Sequence, residues 1–64
     1  MPYEAAYRHA MTLLQPAYEL ERMRLELAAE CGATEGQLST IRARVDALYA
    51  QIASERRAYE LVVS

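Results

Sequence analysis

Lysine, asparagine, phenylalanine and tryptophan are absent from this 64-residue chain, and cysteine occurs once, at Cys31. A single cysteine excludes an internal disulfide and any metal framework built on cysteine spacing. No apolar run approaches the ~20 residues of a membrane span. The start Met1-Pro2-Tyr3-Glu4 has neither the basic region nor the apolar stretch of a signal peptide, so a cytoplasmic protein without membrane association is expected. Aliphatic side chains are also few. Leu, Ile and Val number thirteen of 64, near the level below which chains fail to collapse. The net charge of -2 is small enough to keep this chain on the folding side. Seven arginines without a lysine, together with twelve alanines, suit a GC-rich genome and point to a bacterial or phage source.

Catalytic signatures are missing as well. There is no glycine-rich phosphate loop, no nucleophile–base arrangement and no pair of catalytic carboxylates. His9 is the single histidine, and Ala6 stands where the Glu-x-x-His pattern of metal-binding bundles needs a carboxylate. A chain this short also has no room for a pocket of a few hundred Å³ unless an oligomer builds it. The expectation is a protein that is not an enzyme and carries no cofactor or metal.

What the chain does have is periodicity. Its two glycines, Gly32 and Gly36, sit at mid-chain and divide two long segments. In the second, Leu38, Ile41, Val45, Leu48, Ile52, Glu55, Tyr59 and Val62 alternate steps of three and four, which is the register of a coiled-coil stripe. Thr34-Glu35-Gly36-Gln37 reads as a capping box, with side chains satisfying each other's backbone N–H groups. This predicts a helix over about 35–62. In the first segment the polar residues Glu4, Arg8, Thr12, Gln15, Glu19, Arg22, Glu26 and Glu30 hold one helical phase from end to end. The phase runs past Pro16, although a proline in a helix interior removes a backbone bond and clashes with the preceding turn. The spacing predicts a helix over about 3–31, kinked at Pro16; the competing course is two shorter helices meeting there. Pro2 suits a first helical turn, and Gly32 suits the position just past the helix end.

Two helices of roughly 40 Å each, joined by a turn at 32–34, make one all-α domain over 1–64: an antiparallel αα-hairpin. Residues in contact should have numbers summing to about 66. That places Tyr7 near Tyr59, Tyr18 near Leu48, and Leu27 near Leu38 and Ser39. Glu55 then falls near His9, Met11 and Arg8. Either His9 or Arg8 pairs with this carboxylate, or the open end splays and Glu55 stays in water. Glu21 and Arg24 interrupt the apolar part of the first helix and pair either locally or across an interface. Cys31 reads as an inert small residue at the turn, with no base nearby to activate it.

The first helix carries two apolar sets, and the second helix can cover only one. The set Ala6, Ala10, Leu13, Ala17 and Leu20, which continues through Met23, Leu27 and Cys31, is smaller and is expected to receive the second helix. The set Tyr7, Met11, Leu14, Tyr18 and Leu25 is rich in aromatic and Met side chains, the types favoured at interfaces. It is expected to bind the partner. The five tyrosines, more than a two-helix core absorbs, support that role. A hairpin this small has too little core to offset its ordering entropy, so association is expected. The anticipated partner is a second copy, giving a homodimeric four-helix bundle, or a larger protein.

The resulting reading is a small non-enzymatic protein–protein interaction module that uses the broad apolar face of the first helix as an adaptor, a chaperone-like accessory subunit or an inhibitor. In length and hairpin layout the whole chain resembles the small helical-hairpin co-chaperones of type III secretion needle subunits, with no family-specific motif beyond that layout. The alternative is a nucleic-acid-associated regulator using Arg42, Arg44, Arg56 and Arg57. Asp46, Glu55, Glu60 and the net negative charge oppose it.

Overall fold

A computed structural model describes residues 2–63. Met1 and Ser64, the ends of the expected 1–64 domain, lie outside the described residues. Two helices of equal length, α1 (Pro2–Glu30) and α2 (Glu35–Val63), pack against each other. They form a rod of 47 × 16 × 12 Å. The expected hairpin is the observed fold, with element ends within one residue of those read from the sequence.

The turn is built from two reciprocal capping devices. At the end of α1 the Ala33 N–H donates to the Ala28 carbonyl at 3.0 Å, and the Gly32 N–H donates to the Ala29 carbonyl at 3.3 Å. These two bonds define a Schellman cap. It requires a left-handed residue at Gly32, whose φ is +80°, a conformation that costs glycine little. At the start of α2 the Thr34 N–H donates to Gln37 Oε1 at 2.9 Å, and the Gln37 N–H donates to Thr34 Oγ1 at 3.2 Å. Backbone groups that would otherwise be orphaned at both helix ends therefore have partners within a four-residue connection. Thr34→Ala is expected to cost about 1 kcal/mol, read as a lower melting temperature by circular dichroism. A melting curve identical to the parent's would show that the cap contributes nothing.

α1 runs through Pro16 as one helix, so the course with two shorter helices does not occur. Pro16 cannot donate to the Thr12 carbonyl. Both residues are exposed, so water can satisfy that carbonyl.

The face that α1 turns to α2 is not the expected one. Tyr7, Leu14, Tyr18 and Leu25 are half-buried, and Met11, at 8% exposed, is the single buried side chain among the described residues. Ala6, Leu13, Leu20, Met23, Leu27 and Cys31, expected to receive α2, are exposed; of that set Ala10 and Ala17 are half-buried. The two faces are reversed. The physical reason is area: burying the set with two tyrosines, Met11 and two leucines removes more apolar surface from water than burying an alanine-rich set. α2 meets this face with Leu38, Ile41, Val45, Leu48, Ile52 and Tyr59, all half-buried.

Aromatic contacts set the register. Tyr7 stacks on Tyr59 with centroids 4.3 Å apart, and Tyr3 lies on the same ring at 6.3 Å. The Tyr7–Tyr59 contact is the one expected from the antiparallel count. Tyr18 meets Tyr49 at 6.2 Å, with rings tilted by 47°, one position along from the expected Leu48. Leu27, expected against Leu38 and Ser39, points outward instead.

Candidate interaction surface

The reversal leaves a continuous apolar seam on the outside of α1. His9, Leu13, Pro16, Leu20, Met23 and Leu27 alternate steps of four and three, and every one is exposed. Leu13, Leu20, Met23 and Leu27 are 62%, 51%, 57% and 56% exposed. At 3.6 residues per turn this seam lies roughly 150° around α1 from the side that meets α2. It therefore stands clear of the second helix along its full length. A heptad seam is the pattern by which helices bury their sides against other helices. Isolated exposed leucines are ordinary, but four large apolar side chains in one row on a helix form a contiguous apolar stripe in water.

The residues expected to bind a partner, Tyr7, Met11, Leu14, Tyr18 and Leu25, are brought together as one group, but against α2. Their side chains hold the hairpin closed. The outer seam carries the same heptad signal in the sequence. Its four large members, Leu13, Leu20, Met23 and Leu27, were legible as part of the set expected to receive α2; His9 and Pro16 were not read as belonging to it.

One charged side chain is carried into the contact between the helices. Glu21 falls between Tyr18 and Leu25 on the α2-facing side, and its side chain is only 15% exposed. Arg24 Nη1 lies 3.8 Å from Glu21 Oε1, which is the local pairing. Glu21 Oε2 is buried without a hydrogen-bond partner. A buried acceptor left unpaired carries a desolvation cost of roughly 1–3 kcal/mol. Glu21→Leu is accordingly expected to stabilise the hairpin by about 1 kcal/mol or more. A melting temperature below that of the parent would refute this account of Glu21. The sequence marks Glu21 as an interruption but does not show that one of its oxygens is enclosed.

Glu55 is half-buried. Arg8 Nη2 is engaged at 2.7 Å by Glu4 Oε1 on its own helix, and His9 is exposed on the outer side of α1. Neither pairs with Glu55, and the carboxylate keeps contact with water. Neither expected arrangement is found as stated: Glu55 has no cationic partner, yet the open end does not splay, because Tyr3, Tyr7 and Tyr59 stack there.

Beside the contact between the helices, Gln15, Tyr18, Glu19, Tyr49, Ile52 and Arg56 line an open groove of about 400 Å³. The Arg22 guanidinium sits 5.8 Å from the centre of the Tyr18 ring, within cation–π range. The arginines of α2 are exposed but do not form one basic face. By helical position Arg42 and Arg56 flank one side of the α2 core stripe and Arg44 the other, with Asp46 and Glu60 close to Arg42 and Arg57. Cys31 is a free, exposed thiol. Among the described residues, no group of three or more His, Cys, Asp or Glu side chains gathers into a metal-binding cluster. No helix there is long and apolar enough to cross a membrane.

Comparison with family models, curated proteins and solved structures finds no match to this chain.

Proposed function

We propose that this protein is a small non-enzymatic interaction module that acts by helix-to-helix association through the outer seam of α1. The observation that carries this reading is the row Leu13, Leu20, Met23 and Leu27, each more than half exposed, in a hairpin whose core buries one side chain, Met11, among the described residues. Apolar area of this kind lowers the free energy when it leaves water, by roughly 25 cal/mol per Å². A hairpin with so little core gains most from an interface that supplies the missing burial. Association of two hairpins gives a four-helix assembly, and docking on a larger protein uses the same seam. Adaptor, accessory-subunit and inhibitor roles all require such a surface and no catalytic residue. The proposed location is the cytoplasm.

Sedimentation equilibrium over a concentration series is the direct test. The expected result is a mass above that of one chain, falling toward the monomer on dilution. A fully helical monomer at every concentration, with no helical partner captured on the seam, would overturn the reading.

A further inference from the structure

We propose that the seam of α1 is occupied by a second copy of this chain, with the two α1 helices parallel and in register. The inference rests on the reading of α1 as an association surface and adds the identity and orientation of what covers it.

Area is the first argument. The chain exposes 4823 Å², about 700 Å² more than the roughly 4,100 Å² expected of a compact monomer of its mass. That excess is close to the ~800 Å² each partner contributes to a standard interface. The excess has a place to go, because α2 leaves the seam uncovered from His9 to Leu27.

Charge beside the seam decides partner and direction. Glu19 and Glu26 flank it on one side and Arg24 on the other, all exposed. In a parallel, in-register pair, a residue on one flank meets the residue five positions further along the opposite flank of its neighbour. Glu19 then meets Arg24 of the second copy, and by symmetry the contact forms twice. Arg24 can reach it from the local pair with Glu21, because its side chain is 55% exposed and the Glu21 contact is long, at 3.8 Å. Antiparallel pairing brings equivalent flanks together. The antiparallel register that layers all six seam residues, His9 with Leu27, Leu13 with Met23 and Pro16 with Leu20, sets Glu19 against Glu19 of the second copy. Like charges facing each other disfavour that pairing. The flanks of the seam are therefore complementary to themselves in one orientation only. An unrelated helix would match the apolar stripe but has no reason to carry this charge pattern.

In the parallel arrangement each seam residue meets its own counterpart. Leu13, Leu20 and Leu27 form three apolar layers, and the two copies of His9 face each other toward the open end. α2 of each copy lies on the far side of its α1, so neither obstructs the approach.

Cysteine cross-linking reads the orientation directly. With Cys31→Ser as background, His9→Cys and Leu27→Cys are made as two separate proteins, each checked for helicity and for its sedimentation mass. Both are oxidised in a glutathione redox buffer, alone and mixed after co-refolding. The expected result is a covalent dimer from each protein alone, and no disulfide between the two different chains in the mixture by mass spectrometry. A mixed His9→Cys/Leu27→Cys disulfide as the main product would establish antiparallel packing and overturn the proposal. A dimer by sedimentation with no cross-link at either position would overturn it too, by placing the contact on another face, while leaving association itself intact. A monomer at all concentrations would overturn the proposal and, where no helical partner is captured on the seam, the proposed function with it.

Discussion

Leu20→Asp is expected to abolish association while leaving the path of the chain within one hairpin unchanged. Leu20 lies at the middle of the outer seam and is 51% exposed in the single chain, so a carboxylate there is solvated as long as the hairpin stands alone. In an assembly it would be enclosed between apolar layers with no cation beside it. An uncompensated buried charge costs roughly 3–5 kcal/mol, which corresponds to a weakening of association by two orders of magnitude or more. Sedimentation equilibrium should find the variant at the mass of one chain at concentrations where the parent is assembled. Ser54→Asp, on the exposed side of α2, is the matched control and should assemble like the parent. If Leu20→Asp assembles as the parent does, the seam is not the interface.

Tyr59→Ala should produce the largest loss of stability within the hairpin itself. Its ring receives Tyr7 at 4.3 Å and Tyr3 at 6.3 Å, and these contacts close the end of the rod farthest from the covalent turn. Removing a large aromatic side chain from a core costs about 3–5 kcal/mol, and stacking adds roughly 0.5–1.5 kcal/mol beyond area. Tyr59 is half-buried, so a cost of about 2–3 kcal/mol is the expected share. In a chain of this size that lowers the melting temperature by roughly 10 °C or more. The near-ultraviolet dichroism of the tyrosines should collapse with it. Tyr59→Phe keeps the stacking and should stay close to the parent. Unchanged thermal stability of Tyr59→Ala would mean that the open end frays and that these rings do not hold it.

The two predictions probe opposite faces of α1, and that division explains what could be read from the chain alone. Helix positions were legible because backbone signals are local. Thr34 and Gln37 cap each other across three residues, and Gly32 supplies the left-handed turn through its own φ. The steps of three and four in α2 reflect only the pitch of a helix. The antiparallel count followed from a connection too short for any other return, and it placed Tyr7 on Tyr59.

The choice between the two apolar sets of α1 was different in kind. Each set has helical spacing, and nothing within α1 says which one a neighbour will cover. A preference for aromatic and Met side chains at interfaces argued for sending Tyr7, Met11, Leu14, Tyr18 and Leu25 outward. The same large side chains offer α2 the most burial, and the first contact available to a hairpin is with itself. Glu21 follows from that choice. Once Tyr18 and Leu25 turn toward α2, a residue between them at helical spacing turns with them, charged or not. Glu55 followed no pairing rule because its possible partners lay elsewhere: Arg8 met Glu4 one turn back, and His9 joined the outer row.

The sequence by itself therefore determined two helices, their ends, the turn and the direction of return, since each depends on groups within a few residues or on chain length. Only the tertiary structure decided which face of α1 is covered, that one oxygen of Glu21 is enclosed, and that Leu13, Leu20, Met23 and Leu27 remain in water. Those outcomes depend on competition between two surfaces of one helix for a single neighbour, and the larger buried apolar area wins.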